Sequence, residues 1–289
     1  MEAQGGSLRG LTDFLKFIRF SHTIFALPFA LASMFAAAGG VPSMRTFAGI
    51  IVAMVMARTA AMTFNRVADW EIDKRNPRTA GRHRLVRRET AIAVCVVSSL
   101  GFVVAAWSLN VLCLILSPVA LGIIFFYSLT KRFTDLAQLF LGLALAVAPV
   151  GAWIAVTGTL SAPPLILALA VLLWVTGFDL IYASQDYEID LRDGLRSLVV
   201  KLGKVGAFRA AMALHAGAFV TFIVFGISLR MGGLYFSSLV VVLGALLFEH
   251  MEVRRGTVDS INRAFFVANA VVGIAFVTGV VLNCLEPVL

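Results

Sequence analysis

The chain has 289 residues, of which 60% are apolar and only 14% carry a charge. Together with a mean hydropathy of +0.93, this composition excludes an ordinary soluble domain and indicates a membrane protein. The formal net charge of +8 does not require nucleic acid as a partner, because the basic residues lie between apolar segments in the pattern of a multi-pass membrane protein.

The first 20 residues include acids as well as bases and have no small-residue cleavage site ahead of a short apolar core, so no signal peptide is predicted. Between residues 14 and 20, phenylalanine and isoleucine side chains are interleaved with Lys16 and Arg19. This mixture predicts a cytoplasmic, interfacial segment that leads into the first membrane span.

Seven apolar runs follow, and they predict nine transmembrane helices. A bilayer core takes about 20 helical residues, so the two longest runs each hold two helices. One can break at 107–110 and the other at 157–164, where glycine and paired prolines oppose a helix. Because no run alternates with period two, we expect an all-α fold of nine helices. The runs are 21–38, 46–64, 90–127, 136–178, 210–229, 231–248 and 264–285.

The positions of lysine and arginine predict the orientation. With the amino terminus inside, 21 of the 24 fall on the cytoplasmic side, and only Arg45 and Arg230 fall on the other. The positive-inside rule therefore predicts a cytoplasmic amino terminus and an external carboxyl terminus. Arg58 is the one charge well inside a span, which makes it a candidate functional residue.

The second predicted helix ends in the sequence NRVADWEID. Asn65, Asp69 and Asp73 are spaced by four, so each step turns about 40° and rises about 6 Å along a helix. The three side chains therefore share one face, and Arg58 lies on the same face two turns deeper. The positive-inside rule explains the neighbouring bases but not these acids.

The sixth predicted helix ends in a similar way, with the sequence DLIYASQDYEIDLRDG. Its polar residues recur at steps of three or four and predict a second acidic stripe. Four helices separate the two stripes, so both reach the same side of the membrane and can face one another. The residues of this stripe are Asp179, Tyr182, Asp186, Asp190 and Asp193.

Facing carboxylates repel each other, so a cation should compensate them. Oxygen ligands of this kind suit Mg²⁺, which keeps several waters and often bridges carboxylates to phosphate oxygens. Basic residues follow each stripe, and Lys131 and Arg132 lie between them, as in a diphosphate clamp. An alternative treats the bases as solvated surface and the acids as their partners, but it leaves the spacing of two stripes unexplained.

The cysteines and histidines carry no comparable signal. No His–Cys cluster indicates zinc, and each residue is predicted to pack as a small hydrophobe or an interfacial side chain. They are Cys95, Cys113, Cys284, His22, His83, His215 and His250.

At the two acidic motifs the sequence resembles the UbiA superfamily of intramembrane aromatic prenyltransferases, especially the 4-hydroxybenzoate polyprenyltransferases of quinone pathways. NRVADWEID resembles the first family motif and DLIYASQDYEID the second, while YSLTKRFTDLAQ resembles the basic loop between them. The resemblance covers nearly the whole chain as one domain, 1–289. It implies an enzyme of the inner membrane with nine transmembrane helices around a central cavity. The resemblance further implies that this enzyme uses Mg²⁺ to transfer a polyprenyl group from its diphosphate to an aromatic acid.

The resemblance also implies roles for individual residues. Metal binding through the diphosphate falls to Asn65, Asp69, Asp186 and Asp190, with Asp73 as support. Diphosphate contacts fall to Arg19, Arg66, Lys131 and Arg132. Arg58, Asp179 and Tyr182 are candidates for the aromatic acceptor, and the catalytic set is Asp69, Asp186, Asp190, Arg58 and Tyr182.

Two departures from the family pattern leave the acceptor open. Arg66 occupies a position that is commonly Asp, and it points off the predicted carboxylate face. The sequence RFSHTIFALPFA lacks the Asp-Lys-Pro of many hydroxybenzoate enzymes and looks more like members of the futalosine route to menaquinone. Alternative acceptors are therefore a menaquinone precursor, a haem or a chlorophyll-type ring. A transporter is the alternative from another class, which only Arg58 favours.

Overall fold

A computed structural model describes residues 25–71 and 85–286, and within these ranges the chain is helical with short connections. Two 3-10 turns, Thr130–Arg132 and Ser184–Asp186, and one π-helical segment, Ala264–Ala268, join some of the α-helices. The α-helices are α1 Leu27–Ala38, α2 Met44–Ala68, α3 Arg88–Leu109, α4 Val111–Leu129, α5 Ala137–Thr157, α6 Ala162–Ala183, α7 Tyr187–Arg192, α8 Leu198–Ser228, α9 Gly233–Val253, α10 Val258–Arg263 and α11 Asn269–Leu285.

Eight helical segments are long and apolar enough to cross a membrane, so the protein is an all-α, multi-pass membrane protein. Helix α1 is also apolar, but it has only 12 residues. The prediction of nine crossings is thus matched for eight of them within residues 25–71 and 85–286. Three of the eight are composite, because α4 continues into a 3-10 turn, α6 continues through a 3-10 turn into α7, and α10 continues through the π segment into α11.

Both predicted interruptions of the long apolar runs are present, and each has a local cause. Asn110 separates α3 from α4, where its side chain accepts from the Cys113 N–H at 2.9 Å and donates to the Ile154 carbonyl at 2.8 Å. The same residue therefore caps α4 and fastens this turn to α5. Gly158 ends α5 with φ of 70°, a left-handed conformation that glycine adopts without strain.

Helix α8 begins at Leu198, twelve residues ahead of the predicted apolar run. Ser197 caps it by accepting from the Val200 N–H at 3.2 Å. Gly203 then interrupts the helix with φ of 69° and ψ of 164°. The first turn is thus an amphipathic segment that precedes the break, and hydropathy alone does not detect it.

The densest packing lies in a closed ring of helices in which α1, α5, α6, α8, α9 and α11 each pack against the next and α11 returns to α1. Fully buried aromatic rings fill its centre: Phe29 lies 4.9 Å from Trp174, and Phe222 lies 4.7 Å from Phe276 between ring centroids. Such aromatic contacts stabilise the bundle beyond the area that they bury.

Helices α2, α3 and α4 form a second, less buried layer beside α5. Helix α2 packs mainly on α3 and α4, and α6 packs mainly on α5 and α8. The two motif-bearing helices therefore belong to different layers. The segment after α4 connects their polar ends.

Candidate functional site

The first motif occupies the end of α2. The Asn65 amide donates to the Asp69 carboxylate at 3.3 Å, and the Asp69 N–H donates to the Asn65 carbonyl at 2.9 Å, so Asp69 caps the helix. The two side chains thus share one face, as their spacing predicts. Asp73 and Arg19 lie outside the described residues.

Arg132, in the 3-10 turn after α4, reaches across to this helix end. One of its terminal nitrogens donates to the Ala68 carbonyl at 2.6 Å and lies 3.8 Å from an Asp69 carboxylate oxygen. The carbonyls at the end of a helix attract cations, so this contact is favourable for the helix as well as for the acid. The Arg132 side chain is 47% exposed and retains donors toward the opening of the site.

Tyr127 lies on α4 among three basic side chains. It interacts electrostatically with Arg58 and Arg66 of α2 and with Lys131 of the following turn. Arg66 is only 5% exposed, so it is turned into the protein rather than toward solvent. The intramembrane Arg58, partly buried, also interacts electrostatically with Tyr127. A positively charged wall thus extends from α2 to the end of α4.

The second motif meets the same wall. Asp179 on α6 interacts electrostatically with Lys131 and with Asp186, seven residues further along its own chain. Lys131 therefore interacts electrostatically with residues of both sides of the site, Tyr127 of α4 and Asp179 of α6. The structure brings most of the predicted site residues together, because Asp69 joins the same cluster through Arg132.

The second stripe is not one continuous helix, in contrast to the expectation. Helix α6 ends at Ala183 and tightens into a 3-10 turn at Ser184–Asp186 before α7 begins. A 3-10 turn advances about 120° per residue instead of 100°, so the polar face shifts by roughly 60° over three residues. Asp193 consequently lies exposed at the end of α7, 3.0 Å from its neighbour Arg192, away from the site.

Tyr182 lies on α6 between Asp179 and Asp186 in the chain and packs against an aromatic group. Its ring is 4.3 Å from that of Phe265, which belongs to the π-helical segment. Phe265 also contacts Phe25 and Phe178 at 5.0 and 5.3 Å between centroids. This group of aromatic side chains is suited to contact an apolar chain or a planar ring.

Comparison with known proteins agrees with this arrangement. The model of the UbiA prenyltransferase family matches residues 26–277. The chain belongs to this family. As a UbiA prenyltransferase it is an enzyme, and the resemblance inferred from the two acidic motifs is confirmed.

Individual relatives of this UbiA prenyltransferase span nearly its whole length. A 4-hydroxybenzoate octaprenyltransferase of Vibrio atlanticus is 29% identical over 256 residues, covering 88% of this chain and 89% of that protein. A solved UbiA homolog of Aeropyrum pernix, in its apo form, is 31% identical with a TM-score of 0.82, covering 91% and 98%. A UbiA homolog of Archaeoglobus fulgidus, solved with GPP and Mg²⁺, is 17% identical with a TM-score of 0.68, covering 93% and 99%.

The donors of this UbiA prenyltransferase suit a divalent cation that also contacts substrate. Within the described ranges no three acidic, histidine or cysteine side chains form a ready cage for a metal. The oxygen donors instead occur in two groups, one at the end of α2 and one after α6. Mg²⁺ is characteristically held by one or two carboxylates plus phosphate oxygens and water, which agrees with such a divided set.

Two site residues were not assigned from the sequence. Tyr127 lies in the quoted YSLT segment, five residues before Arg132, and its spacing on α4 was the available signal. Phe265 had none, because its position depends on the π-helical segment. Such segments are rare in helices and recur at functional sites.

Proposed function

We propose that the protein transfers a polyprenyl group from polyprenyl diphosphate to a ring carbon of an aromatic acid, most favourably 4-hydroxybenzoate, in respiratory quinone synthesis. The observation that carries this proposal is the position of Lys131. It interacts electrostatically with Tyr127 beside the first motif and with Asp179 of the second, which supports one shared site for the two motifs. The names of the hydroxybenzoate-specific relatives support the choice of acceptor.

The diphosphate is proposed to lie between the two polar helix ends. Departure of diphosphate concentrates negative charge on its oxygens, and fixed cations stabilise that charge as it develops. Arg66, Lys131 and Arg132 supply these cations, joined by Arg19 from outside the described ranges. Arg132 is held by the Ala68 carbonyl, so its guanidinium is oriented before substrate binds.

Mg²⁺ is proposed as the cofactor, supported by the divided oxygen set and by the solved Archaeoglobus homolog with GPP and Mg²⁺. When bound, it neutralises charge on the departing diphosphate as a Lewis acid. The residues that would hold it are Asn65, Asp69, Asp186 and Asp190, with Asp73 as support.

The acceptor is proposed to lie deeper, against Tyr182 and its aromatic neighbour Phe265. Arg58 would bind the acceptor carboxylate, because a guanidinium pairs well with a planar acid. When the allylic carbon–oxygen bond breaks and the ring carbon attacks, the ring proton must leave. In this proposal Asp179, which interacts with Lys131 and Asp186, receives the ring proton. The surrounding aromatic side chains would exclude water from the allylic carbon.

The same proposal covers topology and location. The chain would form one domain over residues 1–289 with nine crossings, the first of them at α1. The amino terminus would be cytoplasmic and the carboxyl terminus external, in the inner membrane. The concentration of lysine and arginine in alternate connections supports this orientation. A menaquinone precursor of the futalosine route remains the alternative acceptor.

The proposal is tested with membranes that contain the protein, polyprenyl diphosphate and a labelled aromatic acid. We expect a labelled, lipid-soluble product that forms with Mg²⁺ and is abolished by EDTA. Offering 4-hydroxybenzoate and a futalosine-derived acceptor in parallel identifies the ring. Product formation that persists in Asp69→Ala membranes contradicts the site, and solute flux into proteoliposomes without any prenylated product favours a transporter.

A further inference from the structure

Three titratable side chains, two of them buried and His250 partly buried, meet in a cluster that the proposed reaction does not use. His215 on α8 places its Nδ1 3.0 Å from the Nε2 of His250 and 3.6 Å from a carboxylate oxygen of Glu249, both on α9. The side chain of His215 is 2% exposed and that of Glu249 is 0% exposed. All three lie within segments long and apolar enough to cross the membrane, where ionisable groups are costly and usually functional.

The cluster contacts α6 through His215. The Nε2 of His215 lies 3.2 Å from the Trp174 carbonyl oxygen. A Cβ added at Gly177 would lie 2.3 Å from the His215 ring, so only glycine admits the imidazole against this helix. Gly177 precedes Asp179 by two residues, about 200° around the helix, so the cluster and the proposed acceptor side occupy opposite faces of α6.

The contacts of His215 fix where the cluster holds its protons. A carbonyl only accepts, so Nε2 carries a hydrogen and donates to Trp174. Both oxygens of Glu249 are buried without a hydrogen-bond partner. A bare carboxylate in this position would be strongly destabilising. Glu249 therefore either keeps its own proton or faces a doubly protonated His215, and the two states differ by the transfer of one proton.

We propose that His215, Glu249 and His250 form a proton-sharing cluster that positions α6, and with it Asp179 and Tyr182, for the acceptor. The hydrogen bond from His215 to the Trp174 carbonyl fixes the position of α6 along its axis, and the contact of the His215 ring with Gly177 fixes the rotation of α6 about that axis. Purely apolar packing would allow α6 to slide or turn, whereas a satisfied polar network specifies one arrangement. The acceptor-side role rests on the proposed function, while the proton sharing and the positioning of α6 do not.

A double-mutant cycle between Gly177 and His215 tests the positioning. Gly177→Ala forces its methyl into the imidazole, so we expect the KM for the acceptor to rise about fivefold or more while the KM for prenyl diphosphate stays within about twofold. In a His215→Ala background the same change should add little, because the clash with the ring is gone and only the Ala211 carbonyl oxygen, 3.2 Å from the added Cβ, remains close. Gly244→Ala on α9, where a Cβ meets nothing within 4 Å, is the matched control. Additive effects, or equal rises in both KM values, overturn the proposal.

A structural measurement separates this inference from the identity of the acceptor. The chain has four tyrosines, so a fluorotyrosine ¹⁹F spectrum has four lines, and Tyr182→Phe assigns the one of interest. We expect the Tyr182 line to shift in His215→Ala and to stay in Gly244→Ala. His215→Gln, which retains a donor for the Trp174 carbonyl, should restore part of the shift. An unchanged Tyr182 line in His215→Ala overturns positioning even if the acceptor assay succeeds.

Infrared difference spectroscopy tests the shared proton. Subtracting the Glu249→Gln spectrum from that of the unaltered protein should reveal either a protonated carboxyl stretch or a carboxylate accompanied by imidazolium bands. Isotope labelling of histidine identifies the second case. Carboxylate bands without imidazolium overturn the proton-sharing cluster. A protein inactive with every aromatic acceptor, yet showing the coupled Tyr182 shift and the shared proton, refutes the proposed function and retains the cluster.

Discussion

The two faces of α6 carry polar groups under opposite conditions. On one face, called the open face here, Asp179 is partly buried and interacts electrostatically with Lys131 and Asp186, and Asp69 across the site is 15% exposed. On the other face Glu249 and His215 are sealed at 0% and 2% exposure. Charge on the open face is balanced by cations and by the substrate, whereas the sealed face must balance its charge by sharing a proton. The open face is thus built for reactivity and the sealed face for position.

The largest expected effect comes from the open face. Asp186→Asn removes one charge while keeping the shape, and we expect kcat to fall by about 100-fold or more because metal-assisted charge stabilisation is lost. Glu188→Gln is the matched control. Glu188 lies two residues further on, 74% exposed and 3.0 Å from Lys204, and its loss should leave kcat within about twofold. Steady-state assays in detergent measure both. An equal loss of kcat in the two variants would contradict the assignment of Asp186 to the site and of Glu188 to the surface.

The second effect concerns the cations of the open face. Arg132→Gln removes a charge held by the Ala68 carbonyl, and we expect the KM for prenyl diphosphate to rise about tenfold. Arg196→Gln is the comparison, because Arg196 is exposed and donates to the Phe133 carbonyl at 3.1 Å in the same region. Its KM should change less than threefold, by about 0.6 kcal/mol at most. A larger change for Arg196 would place the diphosphate nearer to it.

For the free energy of unfolding we expect the opposite contrast, with a larger effect on the sealed face than on the open face. His215→Ala leaves the Trp174 carbonyl without its histidine donor and opens a cavity, so we expect the free energy of unfolding to fall by about 1–3 kcal/mol. Asp179→Asn removes a carboxylate that lies beside Asp186, and it should change stability by less than about 0.5 kcal/mol while reducing activity. Thermal unfolding in one detergent compares the two. A greater loss for Asp179→Asn would contradict the contrast between the faces.

The smallest effect belongs to an ion pair on neither face. Lys204 and Glu188 lie 3.0 Å apart with side chains 45% and 74% exposed. Water and salt screen such a pair, so Lys204→Gln should alter the unfolding free energy by less than about 0.5 kcal/mol. The same thermal measurement checks this value at low and high salt.

The sequence carried information about the open face and little about the sealed one. Asn65 and Asp69 belong to a local repeat, so helical spacing alone places them together. Asn110 and Gly158 mark helix ends because an asparagine side chain can cap a helix and a glycine can adopt the left-handed conformation. These parts of the fold and site depend on contacts within one or two turns.

The sealed face depends on contacts between distant helices. His215 and Glu249 are separated by the turn between α8 and α9, and hydropathy does not report which sides of two helices meet. The 3-10 turn at Ser184–Asp186 and the π-helical segment containing Phe265 likewise change the register without a local signal. The sequence therefore overestimated the continuity of the second acidic stripe.

The exposed turn at Gly158 separates the chain into one part that carries α2 and another that carries α6. During synthesis more than a hundred residues are inserted after the first acidic motif before the second motif is available to complete the site. Cutting the gene at this turn and expressing both fragments in one cell should therefore reconstitute the enzyme by complementation, with neither fragment active alone.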